Sequence, residues 1–209
     1  MDYSIEACQT TRDDILKTIK RYNSKTYQRP SNNKQIKIVR DLEQICGPNF
    51  IWDWGCGTGI STLHLAEIYP NHNILGIDQS IHRLCRNKIF YKEISQHKNI
   101  ILAHANIIDV IMNWQGPIAS KQYWLHPNPW PLKKHLKKRW QMHPIFKEAI
   151  NMAHKSIMRT NWLSYAEQWH YVCKQIPKES TIETYTGKAI SAFEIKFQKN
   201  NQKIYQVIC

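Results

Sequence analysis

The feature that most constrains this chain is a set of alternating glycines at the end of an apolar run. Phe50-Ile-Trp-Asp-Trp-Gly-Cys-Gly-Thr-Gly-Ile-Ser-Thr62 reads as a short buried strand, a tight turn and the start of a helix. Gly55, Gly57 and Gly59 let the backbone turn sharply and approach a ligand with no Cβ in the way. The following helix, from Ser61 to about Ile68, offers the free N–H groups and positive end of its first turn. A second apolar run, Asn73-Ile-Leu-Gly-Ile-Asp78, ends in a carboxylate. On a neighbouring parallel strand, Asp78 would stand where it can accept both hydroxyls of a ribose. The pair of strands therefore predicts a nucleoside-cofactor site.

The spacing narrows the cofactor. A dinucleotide turn is G-x-G-x-x-G and rests a pyrophosphate on the helix end. Here the order is D-x-G-x-G-x-G, with Asp53 two residues before Gly55. A carboxylate there would repel a pyrophosphate but suits the ammonium group of an amino-acid moiety. One ribose plus an amino-acid tail describes S-adenosylmethionine. The stretch resembles motif I of the seven-stranded methyltransferases.

Around it, apolar and amphipathic segments alternate. Strands are predicted at 50–54, 73–78, 99–104 and 121–125, with helices at 35–46, 60–69, 80–94 and about 163–175. The helix at 35–46 sets Ile36, Ile38, Val39, Leu42 and Ile45 on or near one face. This succession predicts a doubly wound, mostly parallel sheet in one α/β domain, with ligands at the carboxyl ends of the strands. Asp53, Asp78 and Asn106 all fall on that edge. Residues 1–35 are polar and basic and are expected to form an arm with a short helix at about Arg12 to Arg21, ahead of a domain at 36–209. Trp52, Trp54, Trp162 and Trp169 are expected in the core.

Composition bounds the partners. The 209 residues carry a formal net charge of +13, which points to a polyanion. The six cysteines include no C-x-x-C pair, and the ten histidines include no H-E-x-x-H, so no metal site is expected. No apolar run approaches the length of a membrane span, and the N-terminus carries Asp2 and Glu6 where a signal peptide would be basic. A cytoplasmic protein, monomeric or homodimeric, is expected.

A second informative stretch follows the fourth strand: His126-Pro-Asn-Pro-Trp-Pro-Leu-Lys-Lys-His-Leu-Lys-Lys-Arg-Trp140. Its prolines make a rigid turn beside the expected methyl donor. Lys133, Lys134, Lys137, Lys138 and Arg139 then place cations among Trp130, His135 and Trp140. Cations can hold phosphates while an indole offers a stacking face to an unstacked base, so nucleic acid is the expected partner.

This stretch, with His143-Pro144-x-Phe146, resembles the signature D-P-W-P-K-K-R-H-x-K-R-R…H/Q-P-x-F of the bacterial tRNA (guanine-N7)-methyltransferases. Ser191-Ala-Phe-Glu-Ile-Lys-Phe197 is similar to that family's T-x-[YF]-E-x-[KR]-[FG], and Arg29-Pro-Ser-Asn-Asn-Lys-Gln35 is faintly like its basic N-terminal loop. The resemblance implies a seven-stranded, Rossmann-like class I methyltransferase fold. It also implies methyl transfer from S-adenosylmethionine to N7 of a guanosine in tRNA. Asp53, Gly55, Gly57, Gly59, Asp78 and Asn106 would hold the cofactor. Asn128, Asn161 and Glu194 would be the catalytic set, with Thr160 and Ser191 helping to hold the base. Trp130 and the 133–139 cluster would hold RNA.

The sequence departs from that pattern at the acceptor site. Asn128 stands where the family has the aspartate of D-P-W, Arg159-Thr-Asn161 replaces K-T-D, and Ser191 replaces threonine, while Glu194 is kept. An amide still accepts a hydrogen bond from a guanine edge, but without charge, which weakens it. A weakened enzyme is one reading. An N-P-[PW] turn also suits a same-fold methyltransferase acting on an amino group, and a non-catalytic RNA-binding module is a third reading.

Overall fold

The computed structural model describes residues 12–23, 27–86, 96–176 and 178–209. Two helices lead in, α1 (Arg12–Asn23) and α2 (Asn33–Ile45). Then come β1 (Phe50–Trp54), α3 (Ile60–Ile68), β2 (Asn73–Asp78), α4 (Ile81–Cys85), β3 (Ile100–His104), α5 (Ile107–Asn113) and β4 (Ala119–Leu125). Two 3-10 turns, Lys133–Lys138 and Trp140–Met142, precede α6 (Phe146–Ile150), β5 (Ala153–Thr160), α7 (Leu163–Cys173), β6 (Thr181–Thr184), α8 (Ala192–Lys199) and β7 (Tyr205–Ile208).

The seven strands form one sheet in the order β3-β2-β1-β4-β5-β7-β6. Strands β1 to β5 are parallel, whereas β7 runs antiparallel between β5 and β6. The chain leaves β1 towards β2 on one side and later returns as β4 on the other. Their carboxyl ends therefore flank a crevice, the usual ligand position in an open α/β sheet. This is the single α/β domain that the alternating segments predict.

Local chemistry sets the boundaries. Asn32 caps α2 by accepting from the Lys34 N–H, and Gly59 starts α3 from a left-handed φ of +83°. Helix α8 opens with a reciprocal capping box between Ser191 and Glu194. All five residues of β1 are buried, as expected for a central strand covered on both faces. The Trp52 and Trp54 rings stack at 4.4 Å, and Trp54 donates to Gln122 Oε1 at 2.7 Å. Gln122 in turn donates to the carbonyls of Ala149 and Ile150, tying β4 to the end of α6.

Some expectations change. Helix α2 buries Val39 and Leu42, but Ile45, its last residue, is 53% exposed. Of the helix expected at 80–94, α4 accounts for Ile81–Cys85, and Lys88 and Lys92 lie outside the described residues. Strand β6, with its polar Thr181-Ile-Glu-Thr184, gives too little apolar alternation to be read from sequence. Among the described residues, no helix is long and apolar enough to cross a membrane, and no group of three or more His, Cys, Asp or Glu could hold a metal ion.

Candidate active site

The turn after β1 is built by its glycines. Gly55, Gly57 and Gly59 have φ of +72°, +62° and +83°. The Gly55 and Cys56 N–H groups both donate to the Ile77 carbonyl, pulling the turn against the end of β2. A Cβ added at Gly55 or Gly57 would meet nothing within 4 Å, so the turn faces open space. The bare backbone there can accept a ligand in direct contact.

Asp78 is 1% exposed and organises this end of the sheet. Its Oδ2 accepts from the Gly57 N–H at 2.9 Å and its Oδ1 from the Ser80 N–H at 2.8 Å. The Arg83 guanidinium approaches Oδ1 at 3.2 Å. Asp53, also 1% exposed, receives the Ser61 and Thr62 hydroxyls on Oδ2 at 2.6 and 2.7 Å, which locks the first turn of α3 onto β1. Its Oδ1 is buried without a hydrogen-bond partner. Burial raises its pKa to about 6, against the lowering effect of the two hydroxyls.

Above these carboxyl ends lies an open cavity of about 360 Å³. Gly55, Asp78, Asn106, Asn128 and Lys138 line it, together with three indoles, Trp54, Trp124 and Trp140. Trp124 lies 5.6 Å from Trp54 and 5.0 Å from Trp140, so the rings form a continuous wall. Asp53 is not among the lining residues; it braces the turn that is.

Asn106 caps α5 by accepting from the Ile108 N–H, and its side-chain oxygen also receives Arg29 at 3.0 Å. Arg29 further pairs with Asp109 at 2.7 Å, and Gln35 accepts the Asn106 N–H. The segment before α2 thus reaches the rim. His143, another lining residue, packs edge-on against Tyr27. Burial, then the nearby charge of Arg29, depresses the His143 pKa to about 4 and keeps the ring neutral near pH 7.

The proline turn after β4 is held in an unusual backbone conformation, with φ of +52° at His126 and +46° at Trp130. Asn128 Oδ1 accepts the Trp130 N–H at 3.2 Å. Lys138 sits 4.6 Å over the Trp130 ring. Lys133, Lys134, Lys137 and Lys138 are exposed, and Lys133 pairs with Asp14 of α1 at 3.0 Å. Arg139 is different and corrects the reading of a five-cation surface. It is 0% exposed, and its guanidinium donates to the carbonyls of Trp130 and Pro131 and to Gln168 Oε1. Its job here is to pin the proline turn from beneath.

The remaining predicted residues form a second cluster at the end of β5 and start of α8. Thr160 is buried and accepts the Trp162 N–H, while Asn161 meets Gln202 at 3.4 Å. Glu194 is 0% exposed. Its carboxylate accepts the Ile190 and Ser191 N–H groups and pairs with Arg159 at 3.2 Å. Burial alone would raise its pKa, but the His126 ring at 3.8 Å, Arg159 and the Ile190 N–H outweigh it and hold it below the ordinary value. His126 lines the cavity and so connects the two clusters. Arg29, His126 and the indole wall were missed as site residues. A basic loop, a histidine beside proline and a core-like tryptophan carry no sequence mark of where the chain folds back.

The strand order, the reversed β7 and the glycine cradle facing an acid on the next strand define a member of the class I S-adenosylmethionine-dependent methyltransferase superfamily. The chain belongs to the family described as "Putative methyltransferase", whose model matches residues 48–207.

A 66-residue stretch is 38% identical to trans-aconitate 2-methyltransferase of Pseudomonas aeruginosa, covering 31% of this chain and 24% of that protein. An 89-residue stretch is 27% identical to tRNA (guanine-N(7)-)-methyltransferase of Zymomonas mobilis, covering 43% of this chain and 38% of that one. The matches thus span well under two thirds of these relatives. Among solved structures, an antibiotic related methyltransferase superposes with a TM-score of 0.57 at 16% identity, over 89% of this chain and 96% of its own. The 16S rRNA methyltransferase KamB gives 0.54 at 11% identity, over 86% and 94%. Both likenesses are of fold.

Proposed function

We propose that this chain transfers a methyl group from S-adenosylmethionine to N7 of guanosine in tRNA. The observation that carries this reading is a continuous path along the sheet's carboxyl edge. It runs from Gly55 and Asp78, past Asn128, to Lys138, with Lys133, Lys134 and Lys137 exposed on the same turn. The stretch similar to tRNA (guanine-N(7)-)-methyltransferases supports the same acceptor.

The cofactor suits the residues present. Gly55 and Gly57 leave room for it, Asp78 offers carboxylate oxygens to a ribose, and Asn106 stands on the same lining. Asp53, which does not itself line the cavity, would supply negative charge near the ammonium end, and one of its oxygens is buried without a hydrogen-bond partner. When bound, S-adenosylmethionine supplies an electrophilic methyl group on a sulfonium. N7 of guanine carries no proton, so the protein need not supply a strong base. Its task is alignment, together with negative charge or dipole near a purine that becomes cationic.

Asn128 is the residue we assign to the purine edge, with Trp130 and Lys133, Lys134, Lys137 and Lys138 on the RNA backbone. Asn161, Thr160, Ser191 and Glu194 complete the acceptor side, with Glu194 acting through His126 and Arg159. We place the arm at 1–35 and the catalytic domain at 36–209, with Arg29 tying the arm to the cofactor rim.

Incubation with unmodified tRNA and methyl-labelled S-adenosylmethionine, followed by nucleoside separation, tests the reading. Label in 7-methylguanosine is expected. Label in another nucleoside would favour the amino-acceptor alternative suggested by the N-P-W turn. No label with intact cofactor binding by calorimetry would leave an RNA-binding module. Asn128→Asp keeps the acceptor that holds the Trp130 N–H and adds a charge, so turnover should rise roughly tenfold if the amide weakens the enzyme.

A further inference from the structure

Helix α8 carries an aromatic surface that the methyl-donor cavity does not use. Phe193 is 55% exposed, although it is a large apolar side chain in a well-formed helix. Phe193 and Phe197 are one turn apart on the same helix face, and their rings lie nearly parallel, 24° apart at a centroid distance of 6.0 Å. Both rings meet His126, at 5.9 and 5.1 Å. His126 lines the cavity, so this surface is continuous with the acceptor end of the site.

The chemistry around it selects the occupant. Lys196 and Lys199 on the same helix are exposed, and Lys203 follows, also exposed. The one acid of α8, Glu194, is buried in its capping box and pairs with Arg159. An exposed aromatic pair on a helix that also carries exposed lysines and no exposed carboxylate suits a ligand with a π-face and phosphates. An acidic or apolar protein segment would use the cations or the rings, but stacked rings beside a small-molecule cavity match an unstacked base.

We infer that Phe193 and Phe197 form a stacking platform for an unstacked nucleobase of the RNA, next to the acceptor end of the cavity. This rests on the proposed RNA acceptor. Base–aromatic stacking is sequence-tolerant and largely indifferent to salt, whereas lysine–phosphate attraction weakens as salt rises. The platform therefore has a signature of its own.

Phe193→Ala should weaken binding of an unmodified tRNA transcript by about tenfold at every salt concentration, leaving the slope of affinity against salt unchanged. Phe193→Tyr should restore binding, and calorimetric affinity for S-adenosylhomocysteine should not change in either variant. Because Phe193 is half-exposed, both variants should keep the wild-type melting temperature. Unchanged tRNA affinity in Phe193→Ala would overturn the platform even if the wild type makes 7-methylguanosine. A changed sedimentation coefficient with unchanged tRNA affinity would do so too, and would mark the face as a protein contact. If the wild type binds no tRNA at all, the proposed RNA acceptor falls first and the platform with it.

Discussion

Asp53 shows how one side chain can serve a fold at a cost in charge. It is buried at the carboxyl end of a central strand, and two hydroxyls from α3 compensate only one of its oxygens. Burial raises its pKa from 3.8 to about 6. As pH rises from about 4 to about 6, the folded chain keeps a proton that the unfolded chain has released, so this group's stabilising contribution falls. Asp53→Asn removes that dependence and still offers an oxygen to Ser61 and Thr62. The variant should gain on the wild type across this window, by up to about 3 kcal/mol, in melts recorded at several pH values without ligand. A gap that does not change with pH would show that Asp53 titrates normally. Glu194 works in the opposite sense. Its lowered pKa means that its contribution is present above the unfolded-state value and is lost as pH falls through the folded one. Glu194→Gln leaves Arg159 buried without its counter-charge and should cost on the order of 3 kcal/mol at neutral pH, shrinking in acid. Denaturant titration at neutral and acid pH would measure it.

At the scale of elements, the segment from His126 to Trp140 combines strained backbone, a buried arginine pin and an exposed cationic turn. Prolines at 127, 129 and 131 exclude a regular helix, and Arg139 anchors the loop by donating to the Trp130 and Pro131 carbonyls. The lysines are then free to face outwards. Changing Lys133, Lys134 and Lys137 to Ala should weaken tRNA binding and flatten its salt dependence by about one unit of slope for each phosphate no longer neutralised. An unchanged slope would mean that RNA runs elsewhere. Arg139→Ala should behave differently, lowering stability by disordering the turn, with binding reduced only as a consequence.

For the whole molecule, the formal charge of +13 is a standing self-repulsion that folding must overcome. Raising ionic strength from about 20 mM to about 150 mM should therefore raise the melting temperature, because screening shortens to roughly 8 Å. A bound polyanion should have the same effect at much lower concentration. A melting temperature that falls with salt would show that attractive pairs such as Arg29–Asp109 and Arg159–Glu194 outweigh the net repulsion.

The parallel sheet, the glycine turn and the acid on the second strand were legible in the sequence. They rest on local rules: alternation of apolar runs, the conformational freedom of Gly55, Gly57 and Gly59, and a carboxylate closing a strand. The lysine turn was legible for the same reason, since prolines and charges act on their own neighbours. Strand β6 and the true length of the α2 face were not, because polar edges and helix ends are decided by what covers them. Nor could the sequence separate Arg139 from the lysines beside it, since burial of a guanidinium depends on carbonyls and a glutamine brought from elsewhere. Arg29 reaching Asp109, His126 bridging to Glu194, and three indoles meeting at one cavity join residues far apart in the chain. Local chemistry determined the glycine turn; only the tertiary structure decided which side chains close around it.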